Sequence, residues 1–171
     1  MKTNRILPTL LVGLATTLAL SAAPKGSERV QVIYFEPERF TDVKDSWMGS
    51  DKARDDILDQ LKTHIQERAG RVLGDGQKLV ITFTDIDLAG DFEPGRSART
   101  QDIRIVKDIY PPRMSFSFKL TDANGEVLKQ GERNLRDMGF LMKISMNTSD
   151  PLRHEKALLD DWIRDEFRAA K

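Results

Sequence analysis

Apolar and polar positions change period along this chain, and each change marks an element. Arg29 to Phe35 (RVQVIYF) is rich in β-branched and aromatic residues, which suit a pleated, half-buried surface, and predicts a strand. EPERFTDVKDSWMGS then supplies turn residues in Pro37, Asp42 and Gly49. From Asp51 the period becomes helical. Ala53, Ile57, Leu61, Ile65 and Ala69 recur every fourth residue, Leu58 widens the stripe, and charged residues fill most of the remaining positions. Ser50 is placed to cap this helix, Asp51, Asp55 and Asp56 lie toward the positive end of its dipole, and Gly70 closes it. GDGQ (74–77) turns the chain, and KLVITFTDIDL (78–88) reads as a buried strand. Strand, helix and strand in succession predict a crossover unit whose strands are parallel or nearly adjacent.

The stretch from Ala89 to about Thr100 contains Gly90, Pro94 and Gly95 and predicts irregular chain. DIRIVKDIY (102–110) predicts a short strand that PPR ends. MSFSFKL (114–120) alternates cleanly, with Met114, Phe116, Phe118 and Leu120 on one face, as a half-buried antiparallel strand does. Asn124-Gly125 is a strong hairpin signal, and VLKQGERNL (127–135) returns as the partner strand, with Gly131 as a bulge or weak spot. DMGFLMKISMN (137–147) lacks alternation and reads as irregular chain or a short helix. In the terminal segment Pro151 falls in the first turn after a Ser149 or Asp150 cap, and Leu152, Glu155 and Lys156 begin a helix. Leu158, Leu159, Trp162, Ile163 and Phe167 form its apolar face. The order β-α-β-β-β-β-α predicts an α+β domain over residues 30–171. Two amphipathic helices would pack on one face of a four- or five-stranded, mixed or antiparallel sheet.

The first residues follow a different logic. Lys2 and Arg5 precede an uncharged run from Ile6 to Leu20, and small residues follow at Ser21 to Pro24. Positive, apolar and small segments in that order predict a secretory signal peptide over residues 1–23, cleaved after Ser21 or after Ala23, with Pro24 disfavouring the second. Residues 24–29 form a short leader. A membrane anchor would need about 20 apolar residues, more than this run provides. The chain has no cysteine, which excludes a lipid-anchored lipoprotein, a disulfide framework and a thiolate nucleophile. Removing Lys2 and Arg5 leaves 25 basic against 27 acidic residues, so the exported domain lacks the basic surface that nucleic acid requires.

Candidate chemistry concentrates in TDIDLAGDFEPG (84–95). By strand alternation Asp85 and Asp87 continue the face of Leu79, Ile81 and Phe83, unless a bulge at Thr84 or Asp85 swaps sides. Carboxylates there need solvent or partners, and Arg96, Arg99, Arg104 and Arg113 are within reach in sequence. DIDLAG opens like a calcium loop, but Ala89 stands at the fifth place and Arg96 at the twelfth, where a bidentate glutamate is needed. A looser divalent site built from Asp85, Asp87, Asp91 or Glu93 is the alternative. The favoured expectation is an aspartate–arginine network pinning the following loop to the end of the sheet, with no cofactor. Arg96, Arg99, Arg104, Lys107 and Arg113 also form a possible surface for an anionic ligand, interrupted by Asp102 and Asp108.

Elsewhere, His64 and His154 lie on different helices and lack an evident third zinc ligand. Met138, Met142 and Met146 recur at four-residue spacing, a pattern that serves a core as readily as a Cu(I) site. No GxSxG, phosphate loop or HExxH is present.

Four strings in fixed order, TDIDLAGDFEPG, DIRIVKDIYPPRMSF, NLRDMGF and HEKALLDDWIRDEF, resemble an exported bacterial family, domain of unknown function 3016 (DUF3016). The resemblance runs from about Val30 to Phe167. It implies export and a single compact domain, and it carries no reaction, ligand or functional residue. The expectation is therefore a periplasmic or secreted, non-catalytic domain that binds a protein, lipid or glycan of the envelope, with a divalent-metal protein centred on Asp85 and Asp87 as the alternative.

Overall fold

A computed structural model describes residues 29–93, 95, 101–143 and 148–167. Strand β1 (Val30–Tyr34) is followed by a single 3₁₀ turn (Pro37–Arg39) and helix α1 (Asp51–Gly70). Strands β2 (Lys78–Asp87), β3 (Arg113–Thr121) and β4 (Val127–Arg136) come next. A second 3₁₀ turn (Phe140–Met142) precedes helix α2 (Arg153–Phe167). The four strands lie in the order β1-β2-β3-β4, with β1 parallel to β2 and the other pairs antiparallel.

The sequence period explains this layering. Val30 and Val32 of β1, Leu79, Ile81 and Phe83 of β2, and Met114, Phe116, Phe118 and Leu120 of β3 all turn to one face. There they meet Ile57, Leu58, Leu61, Ile65 and Ala69 of α1 and Leu158, Leu159, Trp162 and Ile163 of α2. An aromatic row crosses this core. Phe83 meets Phe116 at 5.0 Å between ring centroids, and Phe116 meets Trp162 edge-on at 4.6 Å. On the other face Ser117, Lys119, Gln130 and Glu132 meet solvent or lie half-buried.

The start of α1 is closed as its sequence predicts, but its end is not: Gly70 is the last helical residue, and the C-cap is Arg71 in a right-handed conformation. Ser50 Oγ accepts the Ala53 N–H at 3.1 Å. At the other end Arg29, just ahead of β1, reaches across to donate to the carbonyls of Gly70 and Gly74 at 2.9 and 3.0 Å. Asp150 caps the start of the terminal helical segment, taking the Leu152 N–H at 2.9 Å.

Three expectations change. DIRIVKDIY contributes no fifth strand: its only ladder contact among the described residues is a one-residue bridge between Asp91 and Ile105. Ile103, Val106 and Ile109 stay exposed, so no buried face rewards extension. Gly131 is in regular register opposite Phe118, and the irregularity of the hairpin sits at Leu120/Thr121. A Cβ at Gly131 would lie 2.9 Å from the Arg133 guanidinium, which rests 5.0 Å above the Phe118 ring, so the glycine makes room for that contact. Met138 and Met142 are exposed and not core fillers, because Phe140 is the residue of that turn that enters the interior. Met146 lies outside the described residues.

Candidate functional site

The geometry of the loop end begins with a bulge. Phe83 pairs with Phe116 but Asp85 with Ser115, leaving Thr84 as the extra residue in β2. Below it the alternation is reversed. Ile86 turns into the core opposite Met114, and Asp85 and Asp87 share the outer face with Ser115 and Arg113. The carboxylates therefore leave the core face, the outcome tied in the sequence to a bulge at this point.

Each carboxylate then meets a defined partner. Asp85 accepts the Thr41 N–H at 2.7 Å and the Thr41 hydroxyl at 2.9 Å, which fastens the chain as it returns from the 3₁₀ turn. Asp42 next resumes pairing beside the end of β2, donating its N–H to Ile86 O and accepting the Leu88 N–H, both at 3.1 Å. Its side chain, in a residue 8% exposed, receives both terminal nitrogens of Arg104 at 2.8 and 3.1 Å. Arg104 also donates to Gly90 O at 3.0 Å and Lys44 O at 2.8 Å, and its guanidinium stacks 4.6 Å from the Phe92 ring. One arginine thus joins three separate segments.

Asp87 is held more loosely, with Arg113 Nε at 3.6 Å. Burial pushes its carboxyl up; Arg113 opposes this, and Asp42, Asp85 and Asp91 reinforce it. Asp91 is fixed through its backbone, exchanging hydrogen bonds with Ile105 at 3.0 and 2.8 Å, and its carboxylate accepts the Phe92 N–H. Lys107 pairs with Glu93. Between these segments lies a cleft of about 270 Å³ whose polar lining includes Lys44, Asp87, Asp91, Tyr110 and Arg113.

Of the sequence candidates, Asp85, Asp87, Asp91, Arg104 and Arg113 are brought to this end of the sheet. Arg96 and Arg99 lie outside the described residues. Arg104 serves Asp42 and not the Asp85/Asp87 pair. The donor set does not match a divalent cation. Both Asp85 oxygens are taken by Thr41, Asp87 faces an arginine, and no group of three histidine or carboxylate side chains among the described residues is arranged for a metal. The histidines stand apart: His64 Nε2 contacts Asp160 at 2.8 Å, whereas His154 packs edge-on against Phe140 at 4.8 Å.

Two buried carboxylates were not singled out in the sequence. Asp42 reads locally as a turn residue, and its partner lies 62 positions away. Glu155 carried a signal that could have found it: it stands three and four residues before Leu158 and Leu159, on the apolar stripe of α2. It is 1% exposed and accepts the Ala89 N–H at 2.6 Å.

A family model described as "Protein of unknown function (DUF3016)" matches residues 28–165, and the chain belongs to that family. No curated protein and no solved structure matches it.

Proposed function

We propose that this DUF3016 protein is an exported, non-catalytic domain that binds a component of the bacterial cell envelope through the loop end of its sheet. The observation that carries the reading is the way this end is built. Asp42 and Arg104 lock the 41–44 and 101–110 segments together, Met48 lines an adjoining hollow with Thr41, Asp42 and Lys44, and the Trp47 N–H binds Asp102. Trp47, Met48, Ile103, Val106 and Ile109 on these joined segments are exposed. Exposed apolar side chains grouped next to polar ones mark an interaction surface more often than a solvated one. Asp85, Asp42 and Arg104 are committed to the scaffold, which leaves Lys44, Asp87, Asp91, Tyr110 and Arg113 to face a ligand. The positive, apolar and small segments before Pro24 support export. No helix among the described residues is long and apolar enough to cross a membrane.

The test is fractionation of cells producing the full chain with a C-terminal tag, followed by co-sedimentation of the purified protein with isolated membranes and with cell-wall sacculi. The reading expects a shortened form in the periplasmic fraction and retention by one of the two envelope preparations. It also expects that retention to fall about tenfold in Trp47→Ala/Ile109→Ala, the effect of losing anchor contacts worth about 1.4 kcal/mol. An uncleaved cytoplasmic protein would end the export part of the reading. Retention unchanged in the double variant would end the assignment of the surface.

A further inference from the structure

Asp42 and Glu155 are the two buried carboxylates among the described residues, and they are satisfied very differently. Asp42 has a bidentate guanidinium. Glu155 has the Ala89 N–H on Oε1, while its Oε2 is buried with no hydrogen-bond partner. An ionised carboxylate with a bare oxygen is costly to bury, whereas the protonated group buries only a neutral hydroxyl. The two cations that act on Glu155, Arg104 and Arg153, make their hydrogen bonds elsewhere. Arg104 is held by Asp42, Gly90 O and Lys44 O, and Arg153 Nη1 turns to the carbonyls of Thr148 and Asp150 at 3.4 Å each.

The bond Glu155 makes is at a joint. Ala89 lies between Leu88, whose N–H binds Asp42 O, and Gly90, whose N–H binds Tyr110 O at 3.0 Å. Gly90 has φ +84°, and a Cβ there would sit 2.8 Å from Ile105 O, so the corner is packed closely against the 101–110 segment. The Ala89–Glu155 bond ties that whole assembly to α2.

We propose that Glu155 is a proton-operated latch: uncharged, it pins the Ala89 corner and the segments joined to it against α2, and ionised, it draws in water and frees them. Arg104 and Arg153 are the charges that act on it; Asp42, Lys44, Asp87 and Asp91 flank the corner, and His154 and the Lys156–Asp150 pair neighbour it on the helical segment. Burial pushes the Glu155 carboxyl up, against the opposing pull of the Ala89 amide, its own backbone N–H, Arg104 and Arg153. The folded chain therefore holds this proton more tightly than the unfolded chain. Stability from the group is complete below the ordinary glutamate value of 4.5 and is lost as the pH rises through the higher folded value. The latch is closed in acid and open toward alkali, and it stands independently of the export reading.

The experiment is amide hydrogen exchange of the purified protein from roughly pH 4 to pH 8, corrected for intrinsic rates, on peptides covering 86–92 and 101–110 with α1 as internal reference. Protection of the two loop peptides relative to α1 should fall about tenfold across this range, equivalent to about 1.4 kcal/mol of local opening free energy. Glu155→Gln, uncharged at every pH, should keep the acid-state ratio throughout. A ratio that stays flat in the parent overturns the latch, and so does an equal fall in Glu155→Gln. Asp87→Asn decides the matter should Glu155→Gln not fold: a fall that persists in it supports Glu155, and one that disappears assigns the titration to Asp87 and overturns the proposal.

Discussion

At the scale of single residues, Arg104 does the most to define the loop end. Replacing it with alanine leaves the buried Asp42 carboxylate with Lys44 Nζ at 4.0 Å in place of a bidentate guanidinium, and breaking such a pair by removing one partner costs about 3 kcal/mol. Arg104→Lys should recover little, because an ammonium cannot serve two carboxylate oxygens and two carbonyls in one plane. Urea unfolding of both variants checks this. Asp87 behaves oppositely. Its folded carboxyl is raised above the ordinary 3.8, so the stability it contributes is complete below that value and declines as the pH rises through the folded one. Asp87→Asn should therefore leave the neutral-pH stability unchanged or slightly higher, which a urea melt at pH 7 reads directly. Gly90→Ala should cost more than about 1 kcal/mol, since the left-handed backbone and the nearby Ile105 carbonyl both oppose a side chain.

At the scale of elements, α2 is fastened to the edge strand β4 through Glu166, whose backbone carbonyl also accepts from Lys129 at 2.9 Å. Glu166 receives Arg133 Nε at 2.8 Å and pairs with Lys129 at 2.6 Å, while Trp162 Nε1 donates to it at 3.2 Å. Burial alone would raise this carboxyl, but the lysine and arginine outweigh it and hold it below the usual range. A depressed carboxyl stabilises the fold above its unfolded value of 4.5, and that contribution is lost as the pH falls through the lower folded value. Glu166→Gln should thus melt below the parent at pH 7 and approach it as the pH drops well below 4.5. Lys129 and Arg133 also point charge along the helix-facing side of β4, which discourages pairing of this edge with another chain. Elements with a long, clean period were legible in the sequence. The stripe from Ile57 to Ala69 and the alternation from Met114 to Leu120 each reappear in the core, whereas Ala53, at the first turn of the stripe, is only half-buried. DIRIVKDIY misled because its apolar residues alternate without a surface to bury them on, and periodicity records only the pattern.

At the scale of the whole molecule, the site was half legible. Asp85, Asp87 and Arg113 were identifiable from strand alternation and proximity in sequence, and the bulge at Thr84 decided which face they occupy. Asp42–Arg104 and Ala89–Glu155 span 62 and 66 positions, and such pairings exist only once the sheet has placed both ends. In this account Asp42 and Asp85 fasten the loop end through Arg104 and Thr41, and Asp85 and Asp87 at the end of β2 act as structural groups and not as cation ligands. The measurement that tests it most directly is the melting temperature of the purified protein, Asp85→Asn and Asp87→Asn in calcium, magnesium, manganese, zinc and EDTA. The account predicts no metal-dependent rise, a lowered melt for Asp85→Asn through loss of its paired Thr41 bonds, about 1 kcal/mol or 2–4 °C, and no fall for Asp87→Asn. A rise with one metal, equivalent to about 2.7 kcal/mol at a hundredfold excess over its dissociation constant and abolished in both variants, would contradict it.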